Sequence, residues 1–451
     1  MKNLLLCSML LALFALQAQS LKLVITQDKK NCRYKISEPV NFYLSAVDAD
    51  GKNISGQKIN YRFTGDGGLD KSGTVISADT PVKLTETINV CGFIRLNASL
   101  LGGKVKPVDS GAAFEPEKIV SSTPDPDDFD EFWAKELAAI KERLKSAKIT
   151  VKPSVTPARW EKMWNTFDVR IEDGVINAGG MLIIPKEAKK KSYPIVMCFS
   201  GASKIGAYEK YIYKSYKCIS FLMNLHDTEN IIPRSDAPKY RKLPNIKDYQ
   251  LRRADSLSEY GTGIIFRRVL MSKEFLKTLP EWDGRNIITR GSSMGGAQSI
   301  VAASGDPLVK LCIAGAPAMC NHFGSLNNQI SGWPNLFKNP VYAKNQKLSD
   351  DAKKVMPYFD IVNFARRVKC PVIMSVGFID YVCPPTSIFA AFNALGTTEK
   401  VLNEVPMGNH GANLDKTNKI PGVFGYGGNE VNRLVRKMNI ETRKAAEKSG
   451  Q

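Results

Sequence analysis

The chain has 451 residues, of which 43% are hydrophobic and 24% are charged, and its formal net charge at pH 7 is +19. This length is enough for two or three domains, and the composition is that of a globular protein rather than a disordered one. The basic residues occur in short scattered clusters, such as 189–191 and 366–367, without interleaved aromatic residues. This pattern excludes nucleic acid as the expected partner.

Residues 1–18 are predicted to form a signal peptide. Lys2 supplies a positive start, residues 4–16 form an apolar run, and Ala18 provides a small residue at the cleavage site. The apolar run is too short to span a bilayer and no other stretch is long enough, so no integral membrane segment is expected. We therefore predict export, to the periplasm or out of the cell, after cleavage near Ala18.

Residues 19–115 are predicted to form a small all-β, immunoglobulin-like sandwich. Its two cysteines, Cys32 and Cys91, would pair in an oxidising compartment if this region is one small domain. Short strands separated by turn clusters rich in Gly and Asp, with no helical periodicity, are typical of such a sandwich. The predicted strands include 21–26, 40–47, 57–63 and 93–99.

A proline-containing linker at 116–126 separates the sandwich from an α/β domain predicted at 127–451. The stretch 125–128 has the features of a helix start, and an apolar face at helical spacing follows it. Strands and helices then alternate, which predicts a mostly parallel sheet covered on both faces and closed by a helix at 429–448. The predicted strands lie near 167–171, 180–184, 194–199, 218–225, 286–290, 309–315, 371–377 and 401–405.

The motif Gly291-Ser292-Ser293-Met294-Gly295 stands between the predicted strand 286–290 and a helix of small residues at 296–303. A strand, a G-x-S-x-G turn and a small-residue helix form the nucleophile elbow of α/β-hydrolases, which exposes a serine hydroxyl at the end of the sheet. Ser293 is therefore the candidate nucleophile.

The acid of a serine triad in this fold follows the serine and ends a late strand. Asp380 meets both conditions, because it ends the apolar stretch 372–380. Asp360 is the competing candidate, but its surroundings indicate the start of a helix rather than the end of a strand. The sequence favours Asp380.

The chain contains three histidines, and the base of the triad should follow the last strand. His410 does so, in a glycine-flanked loop after 401–405. His226 precedes the serine and His322 follows it too early, so both are predicted to be structural. The histidines are far apart and there is no C-x-x-C motif, so no metal is expected, and a serine mechanism needs no cofactor.

Two backbone N–H groups are needed to bind the negative charge that forms on an attacked carbonyl. One comes from Met294, the residue after the nucleophile, and the other from the loop 200–202 that follows the predicted strand 194–199.

Four segments resemble the acetyl xylan esterase / cephalosporin-C deacetylase family of α/β-hydrolases, over about residues 120–440. The resemblance implies Ser293 as the nucleophile, Asp380 and His410 as its partners, and the backbone N–H groups of Ala202 and Met294 as oxyanion donors. The segments are 127–133, 290–296, 359–365 and 377–387.

The chain also departs from the family pattern. Met294 stands where the family has Gln, the loop 200–202 reads Ser-Gly-Ala instead of His-Gly-Tyr, and Gly411 follows the histidine in place of Glu. Ala202 and the flexible Met294 predict a somewhat roomier acyl pocket than the family's. The segments 230–251 and 324–347 either overhang the site or are ordinary surface insertions.

The expected protein is thus an exported serine esterase that removes acetyl groups from polysaccharides or oligosaccharides through an acetyl-enzyme, with an acetylated carbohydrate as its partner. Alternatives are a carboxylesterase for another small acyl group, a related serine peptidase, or a glycan-binding protein without activity. The intact Ser293, Asp380 and His410 argue against the last of these. The natural sugar, the role of the sandwich and formation of a homo-oligomer stay open.

Overall fold

The computed structural model describes residues 21–103, 105–207, 212–215, 217–411 and 428–449, so the predicted signal peptide lies outside the described residues. The strands are β1 (Lys22–Gln27), β2 (Arg33–Tyr34), β3 (Val40–Val47), β4 (Lys58–Gly65), β5 (Asp70–Ile76), β6 (Val82–Glu86), β7 (Gly92–Leu100), β8 (Val108–Phe114), β9 (Lys148–Pro153), β10 (Trp164–Glu172), β11 (Asn177–Pro185), β12 (Tyr193–Phe199), β13 (Ile219–Met223), β14 (Trp282–Ser292), β15 (Val309–Gly315), β16 (Val372–Gly377) and β17 (Lys400–Val405). The α-helices are α1 (Phe129–Leu144), α2 (Ala237–Tyr240), α3 (Gly261–Leu276), α4 (Met294–Ala303), α5 (Pro340–Ala343), α6 (Gln346–Val355), α7 (Ile361–Arg366), α8 (Pro385–Asn393) and α9 (Gly428–Ser449).

The N-terminal region consists of two sheets that share one core. The first sheet has the order β1-β3-β6 and the second the order β2-β8-β7-β4-β5. Alternate residues of β3 point inward, and Phe42 and Leu44 are fully buried against Ile94 and Leu96 of the other sheet. The two-sheet, all-β character of this region is confirmed, while its immunoglobulin-like topology stays a prediction.

The predicted disulfide between Cys32 and Cys91 is not formed, and both thiols are free. Cys32 directly precedes β2 and Cys91 directly precedes β7, and these two strands lie on opposite sides of β8. Two strand spacings amount to roughly 9–10 Å. A disulfide requires the two Cα atoms to lie within about 7 Å. The sheet order therefore keeps these cysteines apart.

The α/β domain is built on a sheet with the order β17-β16-β15-β14-β12-β13-β11-β10-β9. The pairs from β13 to β17 are parallel, and β9, β10 and β11 add an antiparallel edge. Adjacent residues of β12 serve opposite faces: Ile195 packs in the core that contains α3 and α4, and Val196 packs against α9. Helices on both faces explain why the central strands are almost wholly apolar.

Each strand predicted for this domain is present, and so is the closing helix α9. The strand β9 was not predicted. It lies at the edge of the sheet, and its apolar residues Ile149 and Val151 are both about 40% exposed. These two residues carry little of the periodic signal of a half-buried strand. Among the described residues, no helix has the length and the apolar character that crossing a bilayer requires.

The predicted linker 116–126 is packed on the α/β domain. Thr123 is buried and its hydroxyl donates to Asp360 Oδ2 over 2.6 Å, while the Ser122 N–H donates to Asn321 Oδ1 over 2.8 Å. These contacts hold the segment between the two domains in place. The exact domain boundaries stay predictions.

The sandwich and the α/β domain meet around one buried carboxylate. Asp66, in the turn between β4 and β5, is fully buried and accepts hydrogen bonds from the N–H groups of Phe93 and Ile330, each over 2.7 Å. It also accepts from the Thr386 hydroxyl over 2.5 Å. Phe93 lies beside it and packs against Phe378, with ring centroids 5.2 Å apart. Asp66 therefore links three segments that are far apart in the sequence.

We expect Asp66→Ala to destabilise the protein by about 2–5 kcal/mol. Two buried N–H groups and a hydroxyl lose their acceptor at roughly 1–3 kcal/mol each, and this loss is partly offset because the cost of burying the carboxylate, which raises the pKa of Asp66 to about 6, is removed as well. The measurement is the midpoint of thermal unfolding. Asp70→Ala is the matched control: Asp70 is an exposed carboxylate on the next strand that pairs with Arg62, and its removal should leave the midpoint nearly unchanged. Equal midpoints for the two variants would contradict the structural role of Asp66.

Candidate active site

Ser293 lies on a tight turn between β14 and α4, with φ +58° and ψ −124°. A positive φ is strained for a residue other than glycine and persists only where the surrounding packing fixes it. Here the packing is very close, since a Cβ on Gly295 would lie 2.3 Å from the Phe199 carbonyl oxygen, and one on Gly291 would lie 2.4 Å from that of Gly295. The predicted elbow geometry is present.

Asp380 and His410 lie beside Ser293. His410 Nδ1 is 2.7 Å from Asp380 Oδ2, and His410 Nε2 is 3.0 Å from Ser293 Oγ. A carboxylate can only accept hydrogen bonds, so Nδ1 donates to Asp380 and Nε2 is left to accept from the serine hydroxyl. This is the arrangement in which an imidazole can take a proton from a serine.

The Asp380 carboxylate is held from the other side as well. Its Oδ1 accepts from the N–H groups of Val382 and Cys383, over 2.8 and 2.9 Å, and the residue is only 2% exposed. With one oxygen bound by the backbone, the second is directed at the imidazole. The turn that follows β16 thus sets the orientation of His410.

The loop 200–202 lies next to the elbow. It follows β12, whose last residue pairs in register with Gly291 of β14. A Cβ on Gly201 would lie 3.8 Å from Ser293 Cβ, so the loop backbone runs alongside the serine. Ala202 lines the cavity at Ser293, and Met294, as the first residue of α4, has a backbone N–H without an acceptor inside the helix.

The position of the Met294 side chain contradicts the expectation that it makes the acyl pocket roomier. It is fully buried in the core of the α/β domain. Met294 therefore does not enlarge the acyl pocket, and Ala202 is the departure from the family pattern that lies on the cavity wall.

Gln298 is a residue that the sequence analysis missed. It lies one turn into α4, is fully buried, and its Nε2 donates to the carbonyl oxygens of Ser200 and Met294, over 3.2 and 3.0 Å. It thereby ties the loop 200–202 to the helix that carries the elbow. A glutamine within a helix of small apolar residues was the available signal.

Asp360 has a different environment from Asp380. It is the N-cap of α7, where its Oδ1 accepts from the Val362 and Asn321 N–H groups and its Oδ2 accepts from that of His322. All of these bonds lie within 3 Å. The prediction that Asp360 begins a helix is confirmed, and its carboxylate is fully engaged there.

The other two histidines are buried. Burial and the nearby Arg268 and Arg252 lower the pKa of His226 to about 3, and its ring packs edge-on against Tyr249 with centroids 5.0 Å apart. Burial also lowers the pKa of His322. Both rings are therefore neutral at pH 7, which fits the structural role expected of them.

A cavity of about 640 Å³ opens at Ser293 and His410. Trp333 and Val382 form part of its wall, so the segment 324–347 does border the site. The segment 230–251 supports this wall through Tyr249, whose ring lies 6.2 Å from that of Trp333.

Cys383 is a second residue whose position the sequence did not indicate. Its thiol is fully buried and lies close to the Ser293 side chain. Burial and the charge of Asp380 raise the pKa of Cys383 well above its ordinary value, so the thiol stays protonated.

Among the described residues, no group of three or more His, Cys, Asp and Glu side chains is placed to hold a metal ion.

Comparison with known proteins gives one family. The sequence profile of the acetyl xylan esterase family (AXE1) matches residues 115–420. Acetyl esterase Axe7A of Xylanibacter ruminicola is 29% identical over 321 residues, which are 70% of each chain.

Two solved structures share the fold. The acetyl xylan esterase from Paenibacillus sp. R4 is 20% identical with a TM-score of 0.58, and the alignment covers 72% of this chain and 98% of that one. Acetyl xylan esterase 1 from Thermoanaerobacterium sp. JW/SL YS485 is 19% identical with a TM-score of 0.53, covering 73% of this chain and 98% of the other. These likenesses show the α/β-hydrolase fold.

The profile match extends over more than half of the chain and includes the elbow, the Asp380 turn and the His410 loop. The chain belongs to the acetyl xylan esterase family and is a carboxylic ester hydrolase.

Proposed function

We propose that the protein is an exported serine esterase that removes acetyl groups from polysaccharides or oligosaccharides, with Ser293, His410 and Asp380 as its catalytic triad. The observation that carries this proposal is the continuous chain of hydrogen bonds from Asp380 through His410 to the strained serine of the elbow. The family membership supports the acetyl ester as substrate.

The first half of the reaction forms an acetyl-enzyme. His410 Nε2 takes the proton of the Ser293 hydroxyl as Oγ attacks the acetyl carbonyl carbon. The backbone N–H groups of Met294 and Ala202 bind the oxyanion, and losing one such donor typically costs about 10²–10³ in rate. The intermediate collapses when His410 gives its proton to the sugar oxygen, and the C–O bond to the sugar breaks.

The second half regenerates the enzyme. His410 takes a proton from a water molecule, whose oxygen attacks the acetyl carbonyl of the acetyl-enzyme. The second tetrahedral intermediate collapses as His410 returns the proton to Ser293 Oγ, and acetate leaves. Asp380 stays ionised throughout and stabilises the imidazolium that forms twice in each cycle.

The acetylated carbohydrate is proposed as the substrate because the family and the relatives named above act, by their names, on acetyl esters and acetyl xylan. The cavity at Ser293 joins an aromatic wall, Trp333, with small residues beside the nucleophile. Ala202 leaves space where the family's loop has a bulky residue, so the proposed acyl pocket accepts groups slightly larger than acetyl.

Export is proposed from the composition of residues 1–18. Expressed as the full-length chain in a secreting bacterial host, the protein should be recovered outside the cytoplasm with an N-terminus that begins just after Ala18. N-terminal sequencing of the purified protein checks this, and recovery of the uncleaved chain in the cytoplasm alone would refute it.

The triad is tested by a matched pair of aspartates. We expect Ser293→Ala to lower kcat for 4-nitrophenyl acetate by about 10⁴-fold or more, and Asp380→Asn to lower it by roughly 10⁴-fold, because the imidazole loses its orienting carboxylate. Asp360→Asn changes an equally buried carboxylate that lies outside the hydrogen-bond chain. It should lower the midpoint of thermal unfolding and leave kcat nearly unchanged.

Turnover by Ser293→Ala at the wild-type rate would refute the proposed mechanism. A larger loss of kcat in Asp360→Asn than in Asp380→Asn would reassign the acid.

Acyl selectivity tests the substrate. With nitrophenyl esters, we expect kcat/KM to be highest for acetate, measurable for propionate and very low for hexanoate, since each methylene that does not fit costs about 1–3 kcal/mol of discrimination. Ala202→Tyr should narrow the pocket and lower kcat/KM for propionate more than for acetate. A preference for hexanoate over acetate would contradict the proposed substrate class.

A further inference from the structure

A second cavity, of about 610 Å³, lies between the sandwich and the α/β domain. We call it the interdomain cleft. The sandwich contributes Arg62 and Arg95 to its wall, and the α/β domain contributes Asn328, Lys338 and Tyr381. A cavity of this size is in the range that holds a small organic ligand, which corresponds to about two or three sugar rings.

The interdomain cleft adjoins the cavity at Ser293. Trp333 and Val382 line both cavities, and Asp380 also belongs to the wall of the cleft. Tyr381 lies in the chain between Asp380 and Val382, so the turn that orients His410 also carries an aromatic ring into the cleft. A chain-like substrate with its ester at Ser293 can therefore continue past Trp333 into this space.

The lining has the chemistry of a carbohydrate site. Tyr381 is 62% exposed, and the Arg95 guanidinium lies 4.6 Å from its ring centroid, which holds the ring in place. Aromatic rings pack against the C–H faces of sugars, and the amide side chains of Asn328, Gln329 and Asn335 can bond hydroxyl groups.

The charges of the cleft favour a neutral ligand over an acidic one. Asp70 pairs with Arg62 over 2.6 Å, and Asp109 lies 4.0 Å from Arg95, so these positive charges are largely balanced. The charge of Lys338 also acts on Asp70, so the lining has too little net positive charge to select for an anionic chain. A hydroxyl-rich, uncharged chain matches the lining better.

The walls of the cleft are held together before any ligand binds. The Gly67 N–H donates to the Asn328 carbonyl oxygen over 2.8 Å, and Asp66 joins the sandwich to Ile330 and Thr386. A preformed site loses little conformational entropy when it binds. The sandwich thus contributes one fixed wall of the cleft.

We propose that the interdomain cleft binds the uncharged sugar units next to the acetylated unit, with Tyr381 as the main stacking surface, so that the sandwich makes the enzyme selective for oligosaccharide chains. This inference rests on the proposed function, since it takes the ester of the same chain to lie at Ser293.

The test separates binding from chemistry. Calorimetry measures the Kd of xylotetraose, which carries no ester, and kinetics measure the ratio of kcat/KM for acetylated xylotetraose to that for 4-nitrophenyl acetate. We expect Tyr381→Ala to weaken the Kd and lower the ratio by about fivefold to tenfold through loss of stacking. Tyr381→Phe, which keeps the ring, should retain both values within about twofold.

Arg62→Ala changes the opposite wall and should lower the ratio, whereas Lys71→Ala should not. Lys71 is an exposed cation of the same sheet, paired with Glu86 outside the cleft.

If Tyr381→Ala lowers kcat/KM for both esters equally and leaves the Kd unchanged, Tyr381 acts only through Asp380 and the inference is wrong. Undetectable binding of xylotetraose to the wild-type protein would also overturn it.

The two proposals fail differently. A wild-type protein that binds xylotetraose through Tyr381 but releases no acetate from either ester would refute the proposed function while supporting the cleft. A protein that hydrolyses both esters but shows no dependence of the Kd on Tyr381 would refute the cleft alone.

Discussion

The close packing of α4 against the ends of β12 and β14 is the constraint on which the candidate site depends. Backbone atoms approach so closely at Gly291 and Gly295 that no side chain fits at either position. The helix can therefore begin immediately after the strand, and Ser293 is held at a positive φ that a looser turn would relax. Through the buried Gln298, the same helix also holds the loop that is proposed to bind the oxyanion.

The sheet order explains why distant segments meet at this point. After β12 the chain moves to β13 on one side, and after β14, the neighbour of β12 on the other side, it moves away to β15. The loops that follow β12 and β14 therefore diverge at the carboxyl ends of these two strands. Such a switch point is where open parallel sheets form their sites. The parallel strands β16 and β17 end on the same side of the sheet, and the loops that follow them place Asp380 and His410 beside the elbow.

The N-terminal sandwich is an integral part of the molecule rather than a tethered module. Asp66 takes hydrogen bonds from both sides of the interface, and Phe93 packs among aromatic residues of the α/β domain. This contact places sandwich residues beside the turn that carries Asp380 and Tyr381. In the proposed function the α/β domain supplies the chemistry, and in the proposal for the interdomain cleft the sandwich extends the surface that a long substrate meets.

The sequence by itself determined the features that leave a local pattern. The elbow was predicted from the G-x-S-x-G motif between a strand and a small-residue helix, and the central strands were predicted from their apolar runs. Asp380 was preferred to Asp360 because the residues around Asp360 indicate the start of a helix. The tertiary structure alone decided that Cys32 and Cys91 lie apart, that the Met294 side chain points into the core, and that a cleft opens beside Tyr381. These depend on strand order and domain packing, because contacts such as Asp66 with Thr386 join residues far apart in the chain and leave no periodic signal near either one.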